Sequence, residues 1–154
     1  MGLANSNERI EGYRLALQDS NLPVDNTLVF EGDYRYQSGA VLAEKVLQVP
    51  GVSAVFAFND LMAYGVMRGL KAHGVRIPED ISLVGFDDIE FSSMLETPLT
   101  TVCQPTKEIG RLAAQRLLKE IEKKSLGPSH HIILEPSLII RSSTSPPISG
   151  RTEK

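Results

Sequence analysis

The sequence predicts an α/β protein: a doubly wound, mostly parallel sheet with helices on both faces. Three observations carry this. First, two short apolar runs, AVFAF at 54–58 and ISLVGF at 81–86, flank a helical segment at 59–74. Runs of that length, rich in Val, Ile and Phe, suit parallel strands buried on both faces, and the helix between them makes a right-handed crossover. Second, each run ends in small polar side chains, Asn59-Asp60 and Asp87-Asp88. In open α/β sheets ligands bind at the carboxyl ends of strands. Third, the order along the chain is helix, strand, helix, strand, helix, strand. A doubly wound sheet normally opens with a strand, so the chain looks as though it begins in the middle of a fold.

Composition sets the outer bounds. The chain has 154 residues, 42% hydrophobic and 23% charged, which is ordinary for one globular domain. A net charge of −3 and a pI near 5.6 argue against electrostatic binding of nucleic acid, because phosphate needs a basic face. The single cysteine, Cys103, excludes an intrachain disulfide and suits a reducing compartment. No signal-like start and no apolar run near the length of a membrane span is present. The expectation is a cytoplasmic protein with no membrane partner.

Asn5 and Glu8 form a capping-box pattern that starts a helix running to Asp19, with Ile10, Tyr13 and Leu17 on one face. Arg9 falls in its first turn, where the helix dipole disfavours a cation. It is either a solvated surface arginine or a guanidinium aimed at an oxygen-rich ligand. Pro23 breaks the chain, 27–30 reads as a strand, and Gly32-Asp33-Tyr34 follows at its end. Tyr34 is either an idle loop aromatic or a flat platform for a ligand ring. A helix covers 37–48, with Val41, Leu42, Val46 and Leu47 inward, and Pro50-Gly51 closes it.

The helix after Asn59 ends at His73-Gly74, with Gly74 a natural residue to stop it. From Leu61 to Met67 it carries no charge on any side. A helix apolar all round is buried on more than one face. One face packs on the sheet, and the predicted cover for the other is a second subunit, with Gly65 and Gly69 allowing close approach. Asp87, Asp88 and Glu90 make an acidic cluster that fits no complete metal-ligand set. A strand at 99–102 precedes Cys103, which has no histidine nearby to activate it. A helix follows from Pro105-Thr106 to Lys124, with Ile109, Leu112, Ala113, Leu117 and Ile121 on one face. The apolar runs 132–134 and 137–140 are broken by Glu135-Pro136, which suggests an edge strand or a crossing point. His130 and His131 point to opposite faces of such a strand and make a poor metal pair. From Ser142 onward the composition predicts a disordered tail.

No G-x-S-x-G, phosphate-binding loop, dinucleotide fingerprint or Cys-x-x-Cys occurs. Nothing therefore supports an enzyme, a catalytic residue, a metal or a cofactor.

The segments AVFAFNDLMAYG at 54–65, GVRIPEDISLVGFDDI at 74–89 and PLTTVCQP at 98–105 resemble the effector-binding core of LacI/GalR-type bacterial transcriptional regulators. NERIEGY at 7–13, GDY at 32–34 and LEPSLIIRSST at 134–144 match as well, with the ribose-operon and catabolite-control subset nearest. The resemblance implies a type I periplasmic-binding-protein-like fold in truncated form. Residues 1–104 would be the C-terminal, effector-binding and dimerising subdomain. Residues 105–136 would belong to the N-terminal subdomain, 137–144 would return, and 145–154 would be tail. It further implies that Arg9, Tyr34, Asn59 and Asp87 bind a small-molecule effector, a sugar such as ribose. Leu61, Met62, Tyr64, Gly65, Arg68, Phe91 and Leu95 would lie at a homodimer interface. Operator DNA would be bound only through a headpiece that this chain lacks. The alternative with the same fold is the sugar receptor of an ABC transporter, and a third class is an enzyme on a flavodoxin-like sheet.

Overall fold

The computed structural model describes residues 4–122 and 131–146. Four helices and four strands follow one another as α1 (Ala4–Asp19), α2 (Tyr36–Leu47), β1 (Ala54–Phe56), α3 (Asp60–Ala72), β2 (Ser82–Asp87), β3 (Thr100–Cys103), α4 (Thr106–Ile121) and β4 (Ser137–Ile139). The sheet order is β1-β2-β3-β4. β1, β2 and β3 run parallel, with Val55 opposite Leu83 and Val84 opposite Thr100. β4 is antiparallel to β3, with Val102 opposite Leu138. The edge position agrees with Pro136 just before it.

Alternation along β2 places the helices on opposite faces. Leu83 and Gly85 face α3, and Leu83 is fully buried. Val84 and Phe86 point the other way, toward Arg9, Gly12 and Tyr13 of α1. The core lies between the sheet, α3 and α2, and contains Leu42, Ala43, Val46, Ala63, Val66, Leu70, Leu83 and Leu99.

The second cover of α3 is α2 of the same chain, which corrects the expected role of Gly65 and Gly69. A Cβ on Gly65 would overlap the Tyr36 carbonyl and Ala40, and one on Gly39 would overlap the Met62 backbone. The two helices thus touch backbone to backbone. Met62 and Gly65 are buried within the chain and do not form a free face. Only one stripe of α3 stays open, marked by Leu61 at 45% exposure.

Other expectations change too. Helix α1 begins at Ala4, so Arg9 lies beyond the first turn. Residues 27–30 form no strand. Asp25 Oδ1 accepts from both Thr27 N (2.8 Å) and Thr27 Oγ1 (2.7 Å), and this cap winds Asn26–Leu28 into a 3₁₀ turn. Val41 is 62% exposed, because the inward stripe of α2 is Gly39, Leu42, Ala43 and Val46. Residues 132–134 are unpaired, and Ile133 is exposed.

The predicted tail starts too early. Ser143 is fully buried, its hydroxyl accepts from Thr100 N and donates to Leu83 O, and Leu83 N donates to its carbonyl. Ser145 N donates to Ser82 Oγ at 3.2 Å. The predicted end of α4 at Lys124, together with His130 and residues 147–154, lies outside the described residues. Helix α4 itself has no buried residue, and its apolar face, with Ile109, Leu117 and Ile121, is exposed.

Candidate functional site

Three consecutive parallel strands deliver polar side chains to one edge of the sheet. β1 leads to Asn59, β2 ends in Asp87, and β3 leads to Gln104. The carboxyl ends of parallel strands are where this class of sheet presents its ligand groups.

The second strand end is open. Asp87 and Asp88 both have positive φ, 115° and 54°. Each such residue costs on the order of 1–3 kcal/mol and persists only where its surroundings hold it. Asp87 Oδ1 accepts from Gln104 Nε2 at 2.6 Å and lies 4.0 Å from Arg9 Nη2. Burial pushes the Asp87 carboxyl above its ordinary value, and the Gln104 hydrogen bond and the Arg9 charge oppose this. Asp88 turns the other way and pairs with Arg141 Nη2 at 2.7 Å, while Arg141 Nη1 donates to the Leu99 carbonyl. Arg9 donates to the Phe58 carbonyl, and its guanidinium stacks 3.9 Å above the Phe86 ring. Arg9 is thus not a solvated surface arginine: its guanidinium is held by Phe58, Asp87 and Phe86.

Asn59 and Tyr34 form a separate bonded pair. Asn59 Oδ1 caps α3 by accepting from Met62 N (2.9 Å), and Asn59 Nδ2 donates to the Tyr34 carbonyl (2.8 Å). Tyr34 has φ 65°, and that carbonyl bond helps hold it there. Its hydroxyl bonds Ser6 Oγ of α1 at 2.6 Å. The pair is thereby tied to α1, the helix that carries Arg9, with the polar atoms of Asn59 engaged inside the chain.

A recess of about 720 Å³ opens between α1 and the sheet, lined by Arg9, Gly12, Tyr13, Phe56, Phe86 and Gln104 among others. Its walls are largely apolar, with three aromatic rings, and its polar groups are the Arg9 guanidinium, the Gln104 amide and the Glu8 carboxylate; Asp87, Asn59 and Tyr34 do not line it. Such a set takes a ligand with hydroxyls that donate and accept, and with an apolar ring face. Gln104 was not picked out in the sequence; its only signal is its place after the third strand.

Cys103 burial pushes its thiol up, which agrees with an inert side chain. Among the described residues no cluster of three or more His, Cys, Asp or Glu is placed to hold a metal, and no helix is long and apolar enough to cross a membrane.

A second feature lies on the open stripe of α3. Leu61, Tyr64, Arg68, Phe91 and Leu95 line a groove of about 460 Å³. Phe91 is 65% exposed, and Tyr64 bonds Ser92 across the groove floor at 2.8 Å.

The periplasmic binding protein-like domain family matches residues 2–144 of this chain. The HTH-type transcriptional regulator CelR of Thermobifida fusca is 42% identical over 137 residues, 88% of this chain and 40% of that protein. The HTH-type transcriptional regulator DegA of Bacillus subtilis is 35% identical over 138 residues, 90% of this chain and 41% of that protein. The chain thus spans about two fifths of the length of these curated relatives. Among solved structures, a CelR–cellobiose complex superposes with a TM-score of 0.83 at 41% identity, over 88% of this chain and 42% of that one. A LacI family regulator from Enterococcus faecium with bound ribose superposes with a TM-score of 0.84 at 33% identity, over 90% of this chain and 51% of that one.

Proposed function

Because the chain belongs to the periplasmic binding protein-like domain family, in its LacI-type regulator branch, we propose that it is the effector-sensing and dimerising part of a transcriptional regulator. The effector is a small sugar. In the intact protein its binding shifts operator affinity through a DNA-binding headpiece encoded outside these residues, a reciprocal coupling between two sites. The observation that carries this reading is the meeting of Arg9 of α1 with Asp87 and Gln104, which stand at consecutive strand ends, beside the Phe86 ring. The relatives' names point the same way, being regulators and not enzymes. Cellobiose and ribose are both found on structural relatives, so the ribose-operon subset has no advantage over a cellobiose-type effector.

Within the site, Arg9 and Asp87 contact the effector directly and Tyr34 offers its ring. Asn59 reaches it with the second amide N–H or the second oxygen lone pair, since its two bonds within the chain use one of each. In the dimer, the groove of Leu61, Tyr64, Arg68, Phe91 and Leu95 faces its copy. By this reading residues 1–104 form one subdomain, 105–136 belong to the other, and the protein acts in the cytoplasm.

Calorimetry of the full-length protein against cellobiose, ribose, sucrose and purines tests the effector. Binding of a sugar, lost on Asp87→Ala, is the expected result. Binding of none of the sugars, or full binding by Asp87→Ala, refutes the site. Gel filtration of Leu61→Glu tests the groove, with loss of the dimer expected and an unaltered dimer refuting it.

A further inference from the structure

We infer that Asp60 is the positioning residue of this site: its buried carboxylate clamps the strained turn that presents Asp87. The inference rests on the reading of Asp87 as the ligand-facing carboxylate and says what holds it there. Asp60 is fully buried. Its Oδ1 accepts from Thr101 Oγ1 at 2.6 Å. Its Oδ2 accepts from Ser92 Oγ at 2.5 Å and from Ile89 N at 3.0 Å.

Ile89 is the first residue after the two with positive φ, and Asp88 N donates to Thr101 Oγ1 at 3.4 Å. The carboxylate therefore grips the turn from both sides, directly at Ile89 and through Thr101 at Asp88. Strand β2 leaves room for it: a Cβ on Gly85 would overlap Asp60 Oδ1.

A bland explanation exists for an acid in the first turn of a helix, since it complements the dipole. Such a group has no reason to leave water. This one is buried, and its oxygens are taken by Thr101 of β3, by Ser92 of the 3₁₀ turn at Glu90–Ser93 and by the Ile89 amide. Ser92 extends the contact outward. Its hydroxyl proton goes to Asp60, so it accepts from the Tyr64 hydroxyl on the groove floor. The turn carrying Asp87 is thereby joined to the wall of the exposed groove.

The test is Asp60→Asn in the full-length protein. Asparagine keeps the shape and offers one acceptor oxygen where the carboxylate offers two. Three measurements are made: affinity for cellobiose, ribose and sucrose by calorimetry, amide exchange of residues 86–91 by mass spectrometry, and urea unfolding. In folded Asp60→Asn the exchange of 86–91 is expected to rise, and the affinity for whichever sugar the wild type binds to fall about tenfold. Leu70→Val, a core change away from the turn, is expected to lower stability and leave both other readouts at wild-type values. If Asp60→Asn does not fold, Ser92→Ala decides in the same way, with the same directions expected. A folded variant in which either readout matches the wild type overturns the inference. If the wild type binds none of the three sugars, the effector reading fails on its own, and exchange of 86–91 against the Leu70→Val control still decides the role of Asp60.

Discussion

Asn59-Asp60 follows β1 and opens α3, and Asp87-Asp88 closes β2, each a pair of small polar residues after an apolar parallel strand. In the structure the first pair is taken inside: Asn59 is 7% exposed and Asp60 0%, and both side chains are bonded within the chain. The second pair sits on a strained turn, with Asp87 beside an arginine, an amide and an aromatic ring. What separates them is the element that follows. A long helix starts at once after Asn59, and its unpaired amides draw in the preceding side chain as a cap. Only a four-residue 3₁₀ turn follows Asp87-Asp88, beginning at Glu90, so neither carboxylate is claimed by a helix start. The same residue types therefore build the frame at one strand end and, on the proposed reading, supply Asp87 to a ligand at the next, where Asp88 pairs with Arg141.

The comparison breaks most visibly at Asn59. Asn59→Ala removes the α3 cap, worth about 1 kcal/mol, and leaves the Tyr34 carbonyl without its donor, about another 1–2 kcal/mol. A loss near ~2–3 kcal/mol in urea unfolding is expected on that sum. A change under about 0.5 kcal/mol, the level of an ordinary surface substitution, would place Asn59 with the open pair instead.

At Asp87 the sign reverses. Its folded-state carboxyl lies above the ordinary 3.8, chiefly through burial. A raised carboxyl contributes stability that is full below the unfolded value and lost as pH rises through the folded one. At neutral pH the ionised group therefore works against folding, and Asp87→Asn is expected to be as stable as the wild type or slightly more so. The difference between the two should grow as pH rises from 3.8 and then level off, read by urea unfolding across pH. Sugar affinity is expected to fall about tenfold or more in the variant, since a charged acceptor is lost. In the wild type it should weaken as pH drops through the raised value. A variant markedly less stable at pH 7 would mean that Asp87 serves the frame, as Asn59 does.

Much of this arrangement was legible in the sequence, and the part that was not has a common cause. The parallel strands, the limits of α3 and the placing of Asp87 at a strand end follow from local patterns: apolar runs, Asn59 before the helix and Gly74 after it. Patterns of this kind report which faces are buried and not what buries them. So the apolar girth of α3 was legible, while its cover by α2 through Gly39 and Gly65 was not. The strand expected at 27–30 lost to a cap bond from Asp25, which no run of apolar residues reveals. Gln104, Asp60 and Ser143 act through partners 17 to 60 positions away. A sequence taken alone holds no mark of such contacts.

Tyr34 supplies the smallest expected effect and the finest test of the boundary between frame and site. Its carbonyl is bonded to Asn59 and its hydroxyl to Ser6 of α1, the helix that carries Arg9. Tyr34→Phe removes only the hydroxyl bond, a net contribution of about 0.5–1.5 kcal/mol when both partners are well placed. Ser6 keeps access to water on the surface of α1, so the cost should fall at the low end of that range. The positive φ is unchanged, because the backbone bond to Asn59 remains. If the ring is the platform for the effector, affinity for the bound sugar should stay within about twofold, since the aromatic face is intact. Tyr34→Ala should then lower it several-fold while shifting the unfolding midpoint further. Equal affinities in the Phe and Ala variants would assign Tyr34 to the frame alone, leaving Arg9, Asp87 and Gln104 as the residues of the proposed site.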